Sequence, residues 1–396
     1  MIHRLLAVGI LLVGILANHA PARGAVSELV RDISLSYVFG SSIQLQANII
    51  DSASVKDAFL MLQAEGQSTR SIRLNPDSEG QINAAVDLRQ APLRPFARVY
   101  YWFECTFNDD RQATSASFWF DYNDNRFTWN ETQDDLFQIA WVNGDTEFGR
   151  TALDSARRGL QAAVKILPVS PPIPIRIYIY PSEADLQSAL DVTRLPWASG
   201  QASPDLALVL VSIPPSSGWK MEMERQLPHE LMHLLQYAHL NHAASSIPAW
   251  LAEGLAARAE LYPDPDAQRL LNRAVKDGSL PAFSSLCNGF PQEAQAASLA
   301  YAQSGAFIDF IQKTYGSSSI VALLNAAGDG IGCAEMVGSV LGETLPRLQQ
   351  RWEDSLRGSS PPEKTWLIPS VLAVVFIPVV VIVLLSRRKG KGEKVR

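Results

Sequence analysis

The hydrophobic period of this chain changes once, near Phe127, from two residues to about 3.6. Upstream, Ile33, Leu35, Tyr37 and Phe39 alternate with other residues, and Ile43, Leu45, Ala47 and Ile49 do the same. The alternation recurs at Ala58–Leu62, Ile82–Leu88, Val99–Phe107 and Thr114–Phe120, with turn residues such as Gly40, Asn75-Pro76-Asp77 and Asn108-Asp109-Asp110 between the runs. About seven short strands in roughly 100 residues predict an all-β immunoglobulin-like sandwich over residues 25–125. It contains no histidine group or charged cluster, so recognition or spacing is expected of it, not chemistry.

Downstream, Leu136–Val142, Ile173–Tyr180 and Leu206–Ile213 read as strands. Phe148–Leu167, Glu222–Leu240, Ala249–Leu261, Gln292–Tyr315, Ser319–Ala327 and Leu345–Leu356 read as helices. Ser182, with Asp185 three residues on, opens one more short helix. Strands first and helices later predict an α+β domain over residues 126–357.

Both ends are apolar. His3 and Arg4 precede an uncharged run from Leu5 to Ala17 and then small residues, the pattern of a signal peptide over 1–24. After a linker at 358–365, Trp366–Leu385 holds 20 residues without a charge, enough for a single C-terminal transmembrane helix. Residues 386–396 form a tail with six Lys or Arg against Glu393, which predicts a cytoplasmic tail and an extracytoplasmic bulk at the cell membrane. An oxidising exterior allows Cys287 and Cys333 to pair. The formal net charge of −6 over 396 residues argues against a nucleic-acid partner, and three cysteines without C-x-x-C spacing exclude a zinc ribbon.

The chemistry concentrates in His229-Glu230-Leu231-Met232-His233. On a helix, positions i and i+4 stand about 40° apart, so both imidazoles face one point and suit Zn²⁺. Glu230 lies about 100° round from His229, placed to take a proton from a metal-activated water without ligating the metal. Pro228 is expected in the first turn of this helix, where its missing N–H costs nothing. Glu253, twenty residues after His233, lies in an apolar helix opened by Pro248 and would complete a His₂Glu site with one open position. His239 competes as third ligand at the metzincin spacing. That arrangement needs a Gly three residues after the second His to turn the chain, and Gln236 stands there. If the helix continues, His239 points about 240° away.

The H-E-x-x-H motif with Trp250-Leu251-Ala252-Glu253-Gly254-Leu255-Ala256 resembles gluzincin zinc metallopeptidases of the peptidase MA-like group. The resemblance spans about Phe127 to Leu356 and includes Ser298–Gly305 and the Leu341 to Trp352 stretch. It implies a zincin-like domain in which His229, His233 and Glu253 bind zinc and Glu230 is the catalytic base. Tyr301 is the candidate for stabilising the oxyanion. The acid that the thermolysin branch carries four residues after its Glu ligand is replaced here by Ala257, so different groups must support the metal ligands. The substrate of such an enzyme lies along an edge strand, for which Leu206–Ile213 is the expectation. The reading is therefore a membrane-anchored zinc metallopeptidase acting on peptides or proteins. With no G-x-M-x-N-type anchor for a free amine, endopeptidase is favoured. The alternative is an inactive peptidase-like protein that binds through its β-sandwich.

Overall fold

Alternation carries the front half into two antiparallel sheets. The computed structural model describes residues 29–50, 52–190, 200–240, 247–262 and 264–358. The signal segment 1–24, the span 366–385, the tail 386–396 and all of the linker except Gly358 lie outside the described residues. Among the described residues no helix is long and apolar enough to cross a membrane. The described chain forms two compact units that divide between Thr128 and Trp129, with Ala189 and Leu190 grouped with the first.

In the first unit, β1 (Val30–Val38), β2 (Ser42–Ile49) and β5 (Gln81–Asp87) form one sheet in the order β1-β2-β5. The other holds β4 (Arg70–Leu74), β3 (Val55–Ala64), β6 (Arg98–Phe107) and β7 (Gln112–Thr114) in that order, with β8 (Phe118–Asp121) also paired to β6. The residues that alternation marks as inward are buried: Ile43, Leu45 and Ala47 on β2, Leu60 and Leu62 on β3, Val99, Tyr101 and Phe103 on β6. Tyr37 joins the two sheets, its ring 5.3 Å from Phe120 and its hydroxyl donating to the Asp121 carbonyl at 3.0 Å. The single run expected at Thr114–Phe120 is two strands, because the Ser115 hydroxyl accepts the Phe103 N–H at 2.9 Å and interrupts the ladder.

The second unit is a five-stranded sheet with helices. Strands β10 (Phe137–Trp141), β11 (Ile175–Tyr180) and β13 (Leu208–Ser212) are parallel, and β9 (Asn130–Gln133) and β12 (Gly200–Ser203) run antiparallel at the two edges. All five residues of β13 are buried and it pairs on both sides, so the edge-strand expectation for Leu206–Ile213 is overturned; the edge is β12. Helix α1 (Thr146–Ile166) starts where the Asp145 carboxylate accepts the Phe148 N–H at 3.0 Å. It lies against β9 and β10, while α3 (Trp219–His239) lies against β12 and β13. Helix α2 (Glu183–Ala189) opens where the Ser182 hydroxyl accepts the Asp185 N–H at 3.1 Å.

Further helices complete this unit: α4 (Ala249–Ala259), α5 (Pro265–Asp277), α6 (Ala294–Tyr315), α7 (Ser317–Gly328), α8 (Cys333–Leu341) and α9 (Leu345–Gly358). Trp250, Phe283, Phe307 and Trp352 meet in its core with ring centroids 4.0–5.8 Å apart. Cys287 and Cys333 form a disulfide.

Pro228 departs from expectation. It is buried at the tenth residue of α3, not in the first turn, because the stretch from Trp219 is helical and seats Met223 and Leu227 in the core. Gly159 on α1 admits its ring: a Cβ there would stand 2.6 Å from Pro228 Cγ.

Candidate metal centre

Helix α3 presents His229 and His233 on one face, ring centroids 5.2 Å apart. Helix α4 brings Glu253 to them because Trp250, Leu251 and Leu255 are buried and Gly254 allows close approach to α6. A Cβ on Gly254 would come within 2.7 Å of Ile308 Cγ1 and 2.8 Å of the Ser304 carbonyl oxygen. Glu253 Oε2 then lies 3.2 Å from His229 Nε2 and 3.5 Å from His233 Nε2. One ligand atom from each of the three residues falls within 4.8 Å of the others. Donors about 2.0–2.1 Å from a tetrahedral ion are roughly 3.3–3.4 Å apart, so this donor set fits Zn²⁺.

The other ring nitrogens are held from outside. His229 Nδ1 lies 3.1 Å from Glu260 Oε1, and His233 Nδ1 lies 3.2 Å from Gln236 Oε1. In the neutral tautomer with its proton on Nδ1, each ring would donate to that outer partner and leave its Nε2 lone pair for a metal. Gln236 is buried and also donates from Nε2 to the Ala252 carbonyl at 2.8 Å, tying α3 to the residue before Glu253. Neither Glu260 nor Gln236 stood out in the sequence as a site residue. Glu260 lies seven positions after Glu253, one turn beyond Ala257, where a supporting acid is otherwise sought.

Charge balance inside this pocket is tight. Burial alone would depress His229, but the carboxylates of Glu253 and Glu260 outweigh it and push the imidazole up to about 10. His233 is likewise raised against its burial, chiefly by Glu253. Glu253 runs the other way: burial opposes its charge, but the two imidazoles hold it well below the usual carboxylate range. It is an anion at neutral pH, as a metal ligand must be.

Glu230 points to the edge strand. It is only 8% exposed, and its carboxylate accepts the backbone N–H of Ala202 on β12. Gly200, on the same strand, leaves the space it occupies: a Cβ there would stand 2.5 Å from Glu230 Oε1. Burial raises the Glu230 carboxyl, with the two imidazoles pulling the other way, which makes it a better proton acceptor than a solvated Glu. Tyr301 on α6 has its ring 5.9 Å from that of His229 and 4.8 Å from Phe290. Burial and the nearby carboxylates push its phenol far above the usual value, so it stays a proton donor. His239 goes elsewhere: α3 continues through it, and its Nε2 lies 2.8 Å from Asn325 Oδ1 on α7.

A family model described as Peptidase MA superfamily matches residues 155–358. No curated relative matches the chain. Among solved structures, it is similar to an M1 zinc metallopeptidase mutant from Deinococcus radiodurans at 13% identity and TM-score 0.35, over 81% of this chain and 90% of that one. It is similar to a two-domain M1 zinc metallopeptidase mutant bound to L-arginine at 12% identity and TM-score 0.35, over 79% and 89%. A carbohydrate-binding module of family 56, a β-1,3-glucan binding domain, matches at 14% identity and TM-score 0.16, over 23% and 99%.

Proposed function

The chain belongs to the peptidase MA superfamily, and from that membership we propose that it is a zinc metallopeptidase of the gluzincin type, cleaving peptide bonds within chains. One observation carries the reading: the Nε2 atoms of His229 and His233 and a carboxylate oxygen of Glu253 converge within 4.8 Å, while the outward nitrogens are held by Glu260 and Gln236. A zinc ion held by these three residues supplies Lewis acidity toward a water and the scissile carbonyl.

The chain's own groups do the rest. Glu230 is not among the converging donors; raised by burial and fixed by Ala202 N–H, it takes the proton of the attacking water and passes it to the leaving amine. Tyr301, kept protonated, donates toward the oxygen that becomes negative as the carbonyl is attacked. Strand β12, an edge of the sheet among the described residues, offers backbone groups to an extended peptide with little demand on side-chain identity. The apolar segment 366–385 and the basic tail support a membrane anchor with the catalytic unit outside the cytoplasm. Protease added to intact cells should then digest both units.

Zinc content and hydrolysis of a peptide library, measured on the full-length protein and on Glu230→Gln, test the reading. The wild type should hold one zinc and cleave internal bonds. Glu230→Gln should keep the metal and lose about 10²–10⁴-fold in rate. A metal-free wild type, or a fully active Glu230→Gln, contradicts it.

A further inference from the structure

Pro228 stands directly before His229, buried, in the interior of a 21-residue helix. It is the residue least suited to that place, because it lacks the N–H that would bond to the carbonyl four residues back. That carbonyl belongs to Glu224, and it is not left empty: it accepts the N–H of Leu261 at 2.9 Å. Leu261 follows Glu260, the residue whose carboxylate meets His229 Nδ1 at 3.1 Å.

We propose that Pro228 is a positioning residue of the metal centre: by freeing the Glu224 carbonyl for Leu261, it docks the end of α4 on α3 and so seats Glu260 against His229. The proposal rests on the metallopeptidase reading of the site and adds how its support is built.

The surroundings are shaped for it on three sides. A pyrrolidine ring in a helix clashes with the carbonyl four residues back and tilts it outward, the direction from which Leu261 arrives. Gly159 gives the ring room, since a Cβ there would be 2.6 Å from Pro228 Cγ and 2.9 Å from its Cβ. Next to Gly159, Arg158 Nη2 donates to Glu224 Oε1 at 2.6 Å and holds the very residue whose carbonyl is released. At the other end, Glu260 leaves the helix at φ −55° and ψ 133°, an extended conformation. The only helical bond its own N–H makes is a long one, 3.4 Å to the Ala257 carbonyl. The bond at Leu261 therefore decides where the Glu260 carboxylate arrives.

The test compares zinc affinity and the visible spectrum of the Co²⁺-substituted site in four full-length variants: Pro228→Ala, Leu261→Pro, Glu260→Ala, and Pro228→Ala with Glu260→Ala. Pro228→Ala restores the intrahelical donor. Leu261→Pro removes the external one, and the backbone of Glu260 already suits a following proline, so it serves if Pro228→Ala does not fold. Each should weaken zinc by about 10–100-fold, the range for losing a ligand's supporting partner, and shift the cobalt spectrum. The metal-free Pro228→Ala should melt no lower than the wild type. In the Glu260→Ala background, Pro228→Ala should add less than about twofold, because the two act through one contact. Wild-type zinc affinity and spectrum in whichever of the two proline variants folds overturn the proposal, as does an undiminished loss without Glu260. A wild type that binds no zinc overturns the metallopeptidase reading instead.

Discussion

Glu260 Oε1 and Glu253 Oε2 grip the two nitrogens of one ring, His229, at 3.1 Å and 3.2 Å. Both carboxylates are mostly buried, so neither is well screened by water. A carboxylate behind the ring raises its basicity as a ligand, whereas a neutral amide in that position only fixes the tautomer. Glu260→Gln should therefore hold zinc more tightly than Glu260→Ala and more weakly than wild type, with the full range about 10–100-fold. Competition with a chelator of known affinity reads the order. Equal affinity in all three proteins would remove Glu260 from the site.

Gly200 is to Glu230 what Gly159 is to Pro228, a position where any side chain meets an atom already there. A methyl at Gly200 would face Glu230 Oε1 at 2.5 Å, Cδ at 3.1 Å and Cγ at 3.2 Å. Glu230 would have to give way from the position fixed by Ala202 N–H. Displacing a catalytic group by about 1 Å can cost about 10²-fold. Gly200→Ala should lower kcat by roughly that factor and leave zinc content intact. Steady-state kinetics with metal analysis checks both, and an unchanged kcat would mean that Glu230 does not act from this position.

The site divides sharply into what was legible in the sequence and what was not. The i, i+4 spacing turns His229 and His233 to one face, Glu230 lies about 100° round on the same helix, and the apolar run around Glu253 marks a second helix able to pack against it. Gln236 was legible only as a missing glycine; that it grips Ala252 depends on the packing of α4, which no local pattern encodes. Glu260 lies at the end of α4, where direction is set by Leu261 and Glu224, thirty-seven residues apart. The edge strand misled for a physical reason. Leu208–Val211 is an unbroken apolar run, the mark of a strand covered on both faces, whereas the real edge, Gly200–Ser203, has no β-branched residue. Helix α5 was legible too: the Asp264 carboxylate caps the Asp266 N–H at 2.8 Å, Pro265 follows at the first turn, and Ala267, Leu270, Leu271, Ala274 and Val275 keep the helical period.

Asp134 closes the turn between β9 and β10. Its Oδ1 accepts the N–H of Leu136 at 2.8 Å and of Phe137 at 2.7 Å, and its Oδ2 accepts Arg157 Nε at 2.6 Å. Burial would raise this carboxyl, but those bonds win and hold it below the ordinary range. A depressed folded-state pKa stabilises above the unfolded value, about 3.9, and the contribution is lost as pH falls through the folded one. Asp134→Ala should thus cost about 1–2 kcal/mol at pH 7, with the gap to wild type narrowing below about pH 4. Thermal melts at a series of pH values test it; a gap that stays constant down to pH 2 would contradict the charge-based account.

Cys105 lies buried on β6, and burial pushes its thiol up to about 11. It is neither a thiolate at physiological pH nor reachable by reagent. With Cys287 bonded to Cys333, native protein at pH 8 should show no titratable thiol. Denaturation without reductant should expose one, and with reductant all three cysteines. A native thiol that reacts within minutes would show that the sandwich core opens at Cys105.

Which residue completes the metal site turns on whether α3 breaks after His233. It does not: the helix runs to His239, whose imidazole bonds Asn325, while Gln236, where a turn would need glycine, is itself engaged with His233 and Ala252. Glu253 supplies the only carboxylate among the three converging donors. Its removal leaves two imidazoles without the anion that offsets the metal's charge, and three protein groups are needed to hold zinc with one position open. Glu253→Ala should therefore lose its metal on dialysis against a mild chelator, and hydrolysis should collapse with it. His239→Ala gives up one exposed contact to α7 and should change stability by no more than about 0.5 kcal/mol, with zinc retained at one per chain. The reverse outcome, an empty His239→Ala and a loaded Glu253→Ala, would require the helix to end at Gln236 and would replace the gluzincin assignment with the metzincin one.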